Sequence, residues 1–410
     1  MIPIAKPYLN IDDTKLINDV IMSGWVTQGP RVKEFEGLFA EYVGTDYACA
    51  VSNCTTALHL ALLAVGVKPG DIVITASHSF IATANSVRYC DAEPVFIDID
   101  PNNYCMSPEA LKALLTEKCE EKEDGLYYKD VKHLFTKESP LSHIDKNSKI
   151  GRIAAIMPVH QIGMPCDIVD IVDIAKKYKI PVVEDAACAS GSEIKVNGKW
   201  EKVGKPHGDI ACFSFHPRKV ITTGDGGMIT TNNPEYDKYF RLYRQHGMNV
   251  PDTIRHSSQK VIVEEYSVTA YNYRMTDIQA ALGIQQLKKL PEIVEKRREL
   301  DRLYRKYFEN IKWLELPKES ENKKSNWQSY ALKILNNAPV KQIELIQYLL
   351  DNGVSSKMGI MNAHKEKPYI KSAWILENSE YARENVIMLP FYIGLTEEEV
   401  KKIHDLINKL

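Results

Sequence analysis

The chain has 410 residues, 44% of them hydrophobic, and 52 lysines and arginines against 54 aspartates and glutamates give it a net charge of −2. That length exceeds one typical domain, and the composition is that of a folded globular protein. Near-neutrality without a polybasic tract gives no reason to expect nucleic acid as a partner.

The opening Met-Ile-Pro-Ile-Ala-Lys-Pro is not a secretory signal, and no uninterrupted apolar run reaches membrane-spanning length. All eight cysteines lie between Cys49 and Cys212, with no CxxC pair and no His/Cys cluster at zinc spacing. Reduced, mostly buried thiols in a cytoplasmic protein without a bound metal are the expectation.

In chain order, Leu16, Ile17, Val20 and Ile21 predict a helix over Asp12–Met22. A turn-rich loop follows from Gly24 to Pro30, with Trp25 as a packing anchor. Phe35, Leu38, Phe39 and Tyr42 share one face of a second helix over Val32–Val43, and Tyr47–Val51 reads as a strand. The polar cluster Ser52–Thr56 then opens an apolar helix. Such a junction presents unpaired backbone N–H groups and the positive end of the helix dipole, so it is either a phosphate site or an ordinary N-cap by Asn53 or Thr55.

Strand Asp71–Thr75, helix Ile81–Tyr89, strand Pro94–Ile97 and helix Pro108–Leu115 continue the alternation. From 117 to 151 the pattern dissolves into charge, with Lys118, Glu120, Glu121, Lys122, Glu123 and Asp124 at its start, and reads as a solvent-exposed insertion. Strand Ile153–Val159 ends at His160. Helix Ile168–Tyr178 leads to strand Ile180–Val183, with Glu184-Asp185-Ala186-Ala187 at its carboxyl end. Ligands of open α/β sheets bind off the carboxyl ends of strands, which makes Asp185 a functional candidate beside its plain reading as a cap. Alternation from 47 to 230 predicts a largely parallel sheet covered on both faces.

Ile210–Phe215 is a buried strand, broken by His216-Pro217 and followed by Lys219, a second apolar pair and the turn Gly224-Asp225-Gly226-Gly227. A lysine between buried segments either snorkels to water or holds a special place. Desolvation lowers its pKa, and a neutral amine forms a Schiff base with an aldehyde or ketone. Beyond Leu242 a polar stretch runs to Glu265, then Tyr271–Asp277 precedes a helical pattern through Leu287. The periodic, charged Leu290–Phe308 segment reads as a connection, dividing the chain into a large domain, 1–288, and a small α+β domain, 289–410. In the latter, Trp313–Leu316, Tyr330–Ile334 and Val386–Leu389 read as strands, and Ile343–Leu350 and Glu397–Leu410 as helices.

Four ordered segments resemble the DegT/DnrJ/EryC1/StrS family of nucleotide-sugar aminotransferases, pyridoxal-phosphate enzymes of fold type I. They are Asn53-Cys-Thr-Thr-Ala-Leu58, Glu184-Asp-Ala-Ala187, Ser214-Phe-His-Pro-Arg-Lys219 and Tyr271-Asn-Tyr-Arg-Met-Thr-Asp277. The resemblance implies an α/β fold with a mostly parallel seven-stranded sheet flanked by helices, plus a smaller α+β domain. It makes Lys219 the Schiff-base lysine and proton shuttle, with Asp185 pairing with the pyridinium nitrogen.

Thr55, Thr56 and Ser214 match the family's phosphate contacts. Phe80 and Ala186 match the residues on the two faces of the ring. Asn272 matches an asparagine that reaches the phosphate of the neighbouring subunit, which implies a homodimer with shared active sites. His160 and Arg274 lie in matching motifs as candidate substrate contacts. Cys188 stands where many members carry the glutamine or histidine that touches the cofactor's phenolic oxygen. Cys54 replaces a common glycine, Asp225 a glutamate and Lys357 an arginine.

The expected activity is a ping-pong transfer from L-glutamate, through the pyridoxamine form of the cofactor, to a keto group of a nucleotide-linked sugar. A 4-keto-6-deoxyhexose is the first expectation and a 3-keto sugar the second. Dehydratases of the same fold carry histidine at the Lys219 position, so Lys219 argues against that alternative. Retention of Lys219, Asp185 and the phosphate cluster argues against a non-catalytic relative.

Overall fold

Short runs of β-branched and small apolar residues between turn signals make strands buried on both faces. In the computed structural model, which describes residues 1–145, 148–250, 261–370 and 374–410, seven such strands form the central sheet. They are β1 Tyr47–Val51, β2 Ile72–Ala76, β3 Glu93–Ile97, β4 Ile153–Met157, β5 Val183–Asp185, β6 Ile210–Ser214 and β7 Gly227–Thr231. Their spatial order is β3-β2-β4-β5-β6-β7-β1. β2 pairs in parallel with β3 and β4, and β5 in parallel with β6. Parallel bridges at Ile156–Val182 and Val159–Asp185 join the two halves. Only β7 runs against its neighbours. The largely parallel sheet expected from the alternation is therefore present, with the seven strands that the resemblance implies.

At the β1 edge, side chains take the place of a further strand. Buried Glu36 accepts the Ala50 N–H at 2.9 Å, and Arg244 and Arg241 donate to the carbonyls of Ala50 and Ala48 at 2.7 and 3.0 Å. Both arginines also pair with Glu36, so the edge is closed by a charge-compensated cluster.

The charged stretch after residue 117 is not an irregular insertion. Cys119–Lys122 and Gly125–Tyr128 form a hairpin, and Cys119, Leu126, Tyr128, Leu134 and Leu141 join the main core. Ser139 donates to Glu93 Oε2 at 2.9 Å, inside the fold, where Arg88 also pairs with the same carboxylate. The charges occupy the outer face of one short strand and its turn, and they mask the apolar residues behind them.

Helix Asp277–Phe308 begins with a capping box, in which Thr276 and Gln279 bond each other's backbone. It is continuous through residue 288. Ala280, Ile284, Leu287 and Leu290 lie in the main core, whereas Leu300, Tyr304 and Phe308 lie in a second cluster with Tyr330, Leu389 and Phe391. That second cluster covers an antiparallel sheet in the order Leu314–Glu315, Tyr330–Ile334, Val386–Leu389, Lys357–Met358. Ile2, from the other end of the chain, packs there too and donates to the Gly353 carbonyl at 2.8 Å.

Elements not expected from the sequence include a hairpin of Glu193–Val196 with Lys199–Lys202, its third strand Lys323–Lys324, edge strand Lys357–Met358, and helices Pro234–Tyr243 and Glu377–Asn385. Residues 251–260 of the polar stretch before Glu265 lie outside the described residues. No helix among the described residues is long and apolar enough to cross a membrane.

One glycine fixes where the helix after β1 begins. Helix Cys54–Ala64 is capped by Asn53, whose Oδ1 accepts the Thr56 N–H at 3.0 Å, and this N-terminus rests directly on β7. A Cβ on Gly227 would lie 2.5 Å from the Asn53 carbonyl carbon and 2.8 Å from the Cys54 nitrogen, both backbone atoms that cannot swing aside. Gly227→Ala is therefore expected to destabilise the fold by about 1–3 kcal/mol, as overpacking does. An unchanged urea midpoint would contradict this packing.

Candidate active site

β5 and β6 are adjacent and parallel, so their carboxyl ends open on the same side of the sheet. β5 ends in Asp185, and β6 ends in Ser214 ahead of the turn that carries Lys219. Asp185 is 4% exposed. Oδ2 accepts the Thr83 hydroxyl at 2.8 Å and Oδ1 the Ala187 N–H at 3.1 Å. Burial pushes this carboxyl above the usual aspartate range, opposed by those two hydrogen bonds and by the charge of Lys219.

Lys219 Nζ donates to Cys188 Sγ at 3.0 Å. Burial pulls the amine down, but its bond to Cys188 and the nearby carboxylate of Asp185 outweigh it and leave the amine above the ordinary lysine value. Of the eight cysteines, Cys188 alone is not fully buried.

Phe80 is 64% exposed, an unusual state for a large aromatic, and it stands at the head of helix Ile81–Arg88, whose first turn delivers Thr83 to Asp185. Ala186 is fully buried and donates its N–H to the Cys212 carbonyl at 2.9 Å. Thr55 sits partly exposed in the first turn of helix Cys54–Ala64. The Thr56 hydroxyl donates to the Asn53 carbonyl at 2.8 Å, and Ser214 Oγ accepts the His216 N–H at 3.4 Å.

The segment from Tyr271 to Arg274 runs beside this helix start. Ser52 donates its N–H to the Tyr273 carbonyl at 2.8 Å, and Arg274 bridges to Val51. Asn272 is exposed. Asp277, at the end of the same motif, accepts the Arg31 and Val32 N–H groups at 3.1 and 2.9 Å, which is a structural task.

His160 is placed differently from a substrate contact. Its ring is fully buried, with Nε2 bonded to Glu184 Oε2 at 2.9 Å and Nδ1 accepting the Cys166 N–H at 3.2 Å. An Nδ1 that accepts leaves the proton on Nε2, so the ring donates to Glu184. Glu184 also accepts the His207 and Gly208 N–H groups, and the His160–Glu184 pair thereby ties the end of β5 to the loop before β6.

Several residues that shape the site were not singled out from sequence. Asn326 donates to the carbonyls of Cys188 and Ser190 at 2.8 and 2.9 Å, and Gln328 donates to the Arg218 carbonyl at 2.9 Å. One turn of the C-terminal part thus grips both the Cys188 loop and the Lys219 turn. Lys357 lies on an edge strand; desolvation and then the positive charge of Arg218 and Lys219 hold its amine below the ordinary lysine value. Among the described residues no cluster of three or more His, Cys, Asp or Glu side chains could hold a metal ion.

The DegT/DnrJ/EryC1/StrS aminotransferase family matches residues 7–408. The chain is 32% identical over 405 residues to GDP-perosamine synthase of Caulobacter vibrioides, a match covering 98% of this chain and 96% of that protein. Among solved structures, the aminotransferase TlmJ from Streptoalloteichus hindustanus superposes with a TM-score of 0.82 at 27% identity, covering 100% of this chain and 98% of that one. PseC of Helicobacter pylori, an aminotransferase involved in the biosynthesis of pseudoaminic acid, superposes with a TM-score of 0.83 at 25% identity, again over 100% and 98%. With a family match over nearly its whole length, this chain belongs to the DegT/DnrJ/EryC1/StrS aminotransferases.

Proposed function

We propose that this aminotransferase uses pyridoxal 5′-phosphate to move the amino group of L-glutamate to a keto group on the hexose of a nucleotide-linked sugar. A 4-keto-6-deoxyhexose is the first choice of acceptor and a 3-keto sugar the second. The observation that carries the reading is the Lys219 amine and the buried Asp185 carboxylate at the ends of adjacent strands, with exposed Phe80 capping the helix whose Thr83 bonds Asp185. Similarity to GDP-perosamine synthase and to PseC supports a sugar acceptor.

The residues present fit the cofactor. A carboxylate that is kept by two hydrogen bonds inside the fold matches a protonated ring nitrogen, and an uncovered phenylalanine matches a flat ring. Asp185 would hold the ring nitrogen, Phe80 and Ala186 the ring faces, and Cys188 the ring edge. Thr55, Thr56 and Ser214 would hold the phosphate with the N-terminus of helix Cys54–Ala64, where the dipole favours an anion. Exposed Asn272 would serve the phosphate of a second copy of the chain.

When bound, the cofactor supplies an aldehyde that condenses with amines and a ring that accepts electrons from the carbon losing its proton. Lys219 is the group that takes and returns that proton, and it must lose its own proton first. Asp185 stays ionised and keeps the ring nitrogen protonated. Arg274 and Lys357 offer positive charge to the anionic substrates.

Incubating the enzyme, glutamate and a panel of keto-sugar nucleotides, with mass detection of the amino sugar, tests the reading. Lys219→Ala should keep cofactor binding, followed by visible absorbance, and lose turnover by roughly 10²–10⁴-fold, the usual worth of a positioned proton shuttle. Turnover within tenfold of wild type would remove Lys219 from the chemistry. Heterodimers of one Lys219→Ala chain and one Asn272→Ala chain, co-expressed with two tags, should regain activity at limiting cofactor, because one site then holds an intact lysine and an intact partner asparagine. Verified heterodimers without recovery would refute the shared site.

A further inference from the structure

We infer that Thr83 is a positioning residue for Asp185, holding the carboxylate ionised and correctly turned for the ring nitrogen of the cofactor. The inference rests on the pyridoxal-phosphate reading above and deepens it.

Thr83 is 2% exposed and its hydroxyl donates to Asp185 Oδ2 at 2.8 Å. With that proton committed to a carboxylate, Thr83 Oγ1 is left to accept, and Ser79 Oγ lies 2.8 Å away as its donor. A chain of two hydroxyls therefore ends on the carboxylate, each polarising the next. Among the described residues the carboxylate's one other hydrogen-bond donor is the Ala187 N–H, which rises from the same strand end and fixes Oδ1. Oδ2 is fixed from a different element, helix Ile81–Arg88.

The Ser77–Phe80 loop ahead of that helix is itself held from the C-terminal part of the chain. Ser77 Oγ bonds His364 Nδ1 at 2.6 Å and accepts the His364 N–H at 3.1 Å. His78 Nδ1 bonds Asn362 Oδ1 at 2.7 Å, and Asn362 is oriented by its own bond to the Ser379 carbonyl at 2.8 Å. The loop that ends at Phe80 thus also sets Thr83 against Asp185.

The consequence is a stated direction in pH. Burial already favours the neutral form of Asp185, and a hydroxyl donor favours the charged form. The other groups facing the carboxylate are Lys219, whose ammonium favours its charge, the His160 ring, neutral with Nδ1 accepting, and the thiols of Cys54 and Cys212, which burial keeps protonated. Removing the Thr83 hydroxyl therefore raises the pKa of Asp185, and the carboxylate is lost to protonation at a higher pH as the solution is acidified.

The test titrates pyridoxal 5′-phosphate into wild type, Thr83→Val and Thr83→Ser from about pH 5 to pH 8, following visible absorbance and fluorescence quenching without any substrate. Thr83→Val, nearly the same size without the hydroxyl, should bind about tenfold more weakly at neutral pH and lose binding at a midpoint about one pH unit higher, the equivalent of one charge-assisted hydrogen bond. Thr83→Ser should stay within about threefold of wild type with an unmoved midpoint. If Thr83→Val does not accumulate as folded protein, Ser79→Ala, which removes the donor to Thr83, should move the midpoint in the same direction by a smaller amount. A wild-type affinity and midpoint in the valine variant, or a serine variant as poor as valine, overturns the inference while leaving the cofactor reading intact. Failure of wild type itself to take up the cofactor overturns the reading, and the inference with it.

Discussion

An aspartate carboxyl group buried inside the fold is the constraint that most of this structure serves. Moving such a group out of water costs several kcal/mol unless hydrogen bonds and opposite charge replace the lost hydration. At Asp185 those replacements come from three directions: the Ala187 N–H beside it in the chain, the Thr83 hydroxyl from the next helix, and the Lys219 amine from the following strand turn. None of the three works unless β5, β6 and helix Ile81–Arg88 are held in register. The parallel pairing of Cys212 with Asp185 and the His160–Asp185 backbone bond, 3.0 Å long, hold it at the sheet level.

The C-terminal part of the chain contributes more than a lid over the core. Asn326 clasps the loop bearing Cys188, Gln328 clasps the turn before Lys219, and Asn362 with His364 clasps the loop bearing Phe80. All three are polar contacts made by buried or half-buried side chains to backbone or to a single partner, which makes them directional. Apolar clusters build the two cores, and these bonds decide where the site loops stand. That division of labour is what a site assembled from distant parts of a chain requires.

How much of this was legible in the sequence follows from the range of the forces involved. The alternation of buried strands and amphipathic helices from Tyr47 to Thr231 is written in local periodicity, and the sheet follows it closely. The hairpin Cys119–Tyr128 was not legible, because Glu120, Glu121 and Lys122 on its outer strand dominate a short segment and hide Leu126 and Tyr128, which face the core. Asp185 was marked by its place at a strand end, and Lys219 drew attention as a lysine between buried runs. Their roles came from resemblance rather than from pattern. Thr83, Asn326 and Asn362 carry no local signal, since a polar residue in a helix turn or a loop gains its meaning only from a partner about 100 or more positions away. His160 shows the converse: a histidine at a strand end looks like a ligand contact, and the fold spends both of its ring nitrogens on Glu184 and Cys166.

The most direct measurement isolates the first half of the exchange. Protein loaded with pyridoxal 5′-phosphate is mixed with L-glutamate alone, and 2-oxoglutarate is counted against active subunits while the visible band is followed. An amine that is passed through the Lys219–Asp185 site gives close to one 2-oxoglutarate per subunit, with loss of the band, and then stops until a keto-sugar nucleotide is added. Continued 2-oxoglutarate release without any acceptor, or none at all with the cofactor bound, would contradict a glutamate-dependent transfer at this site.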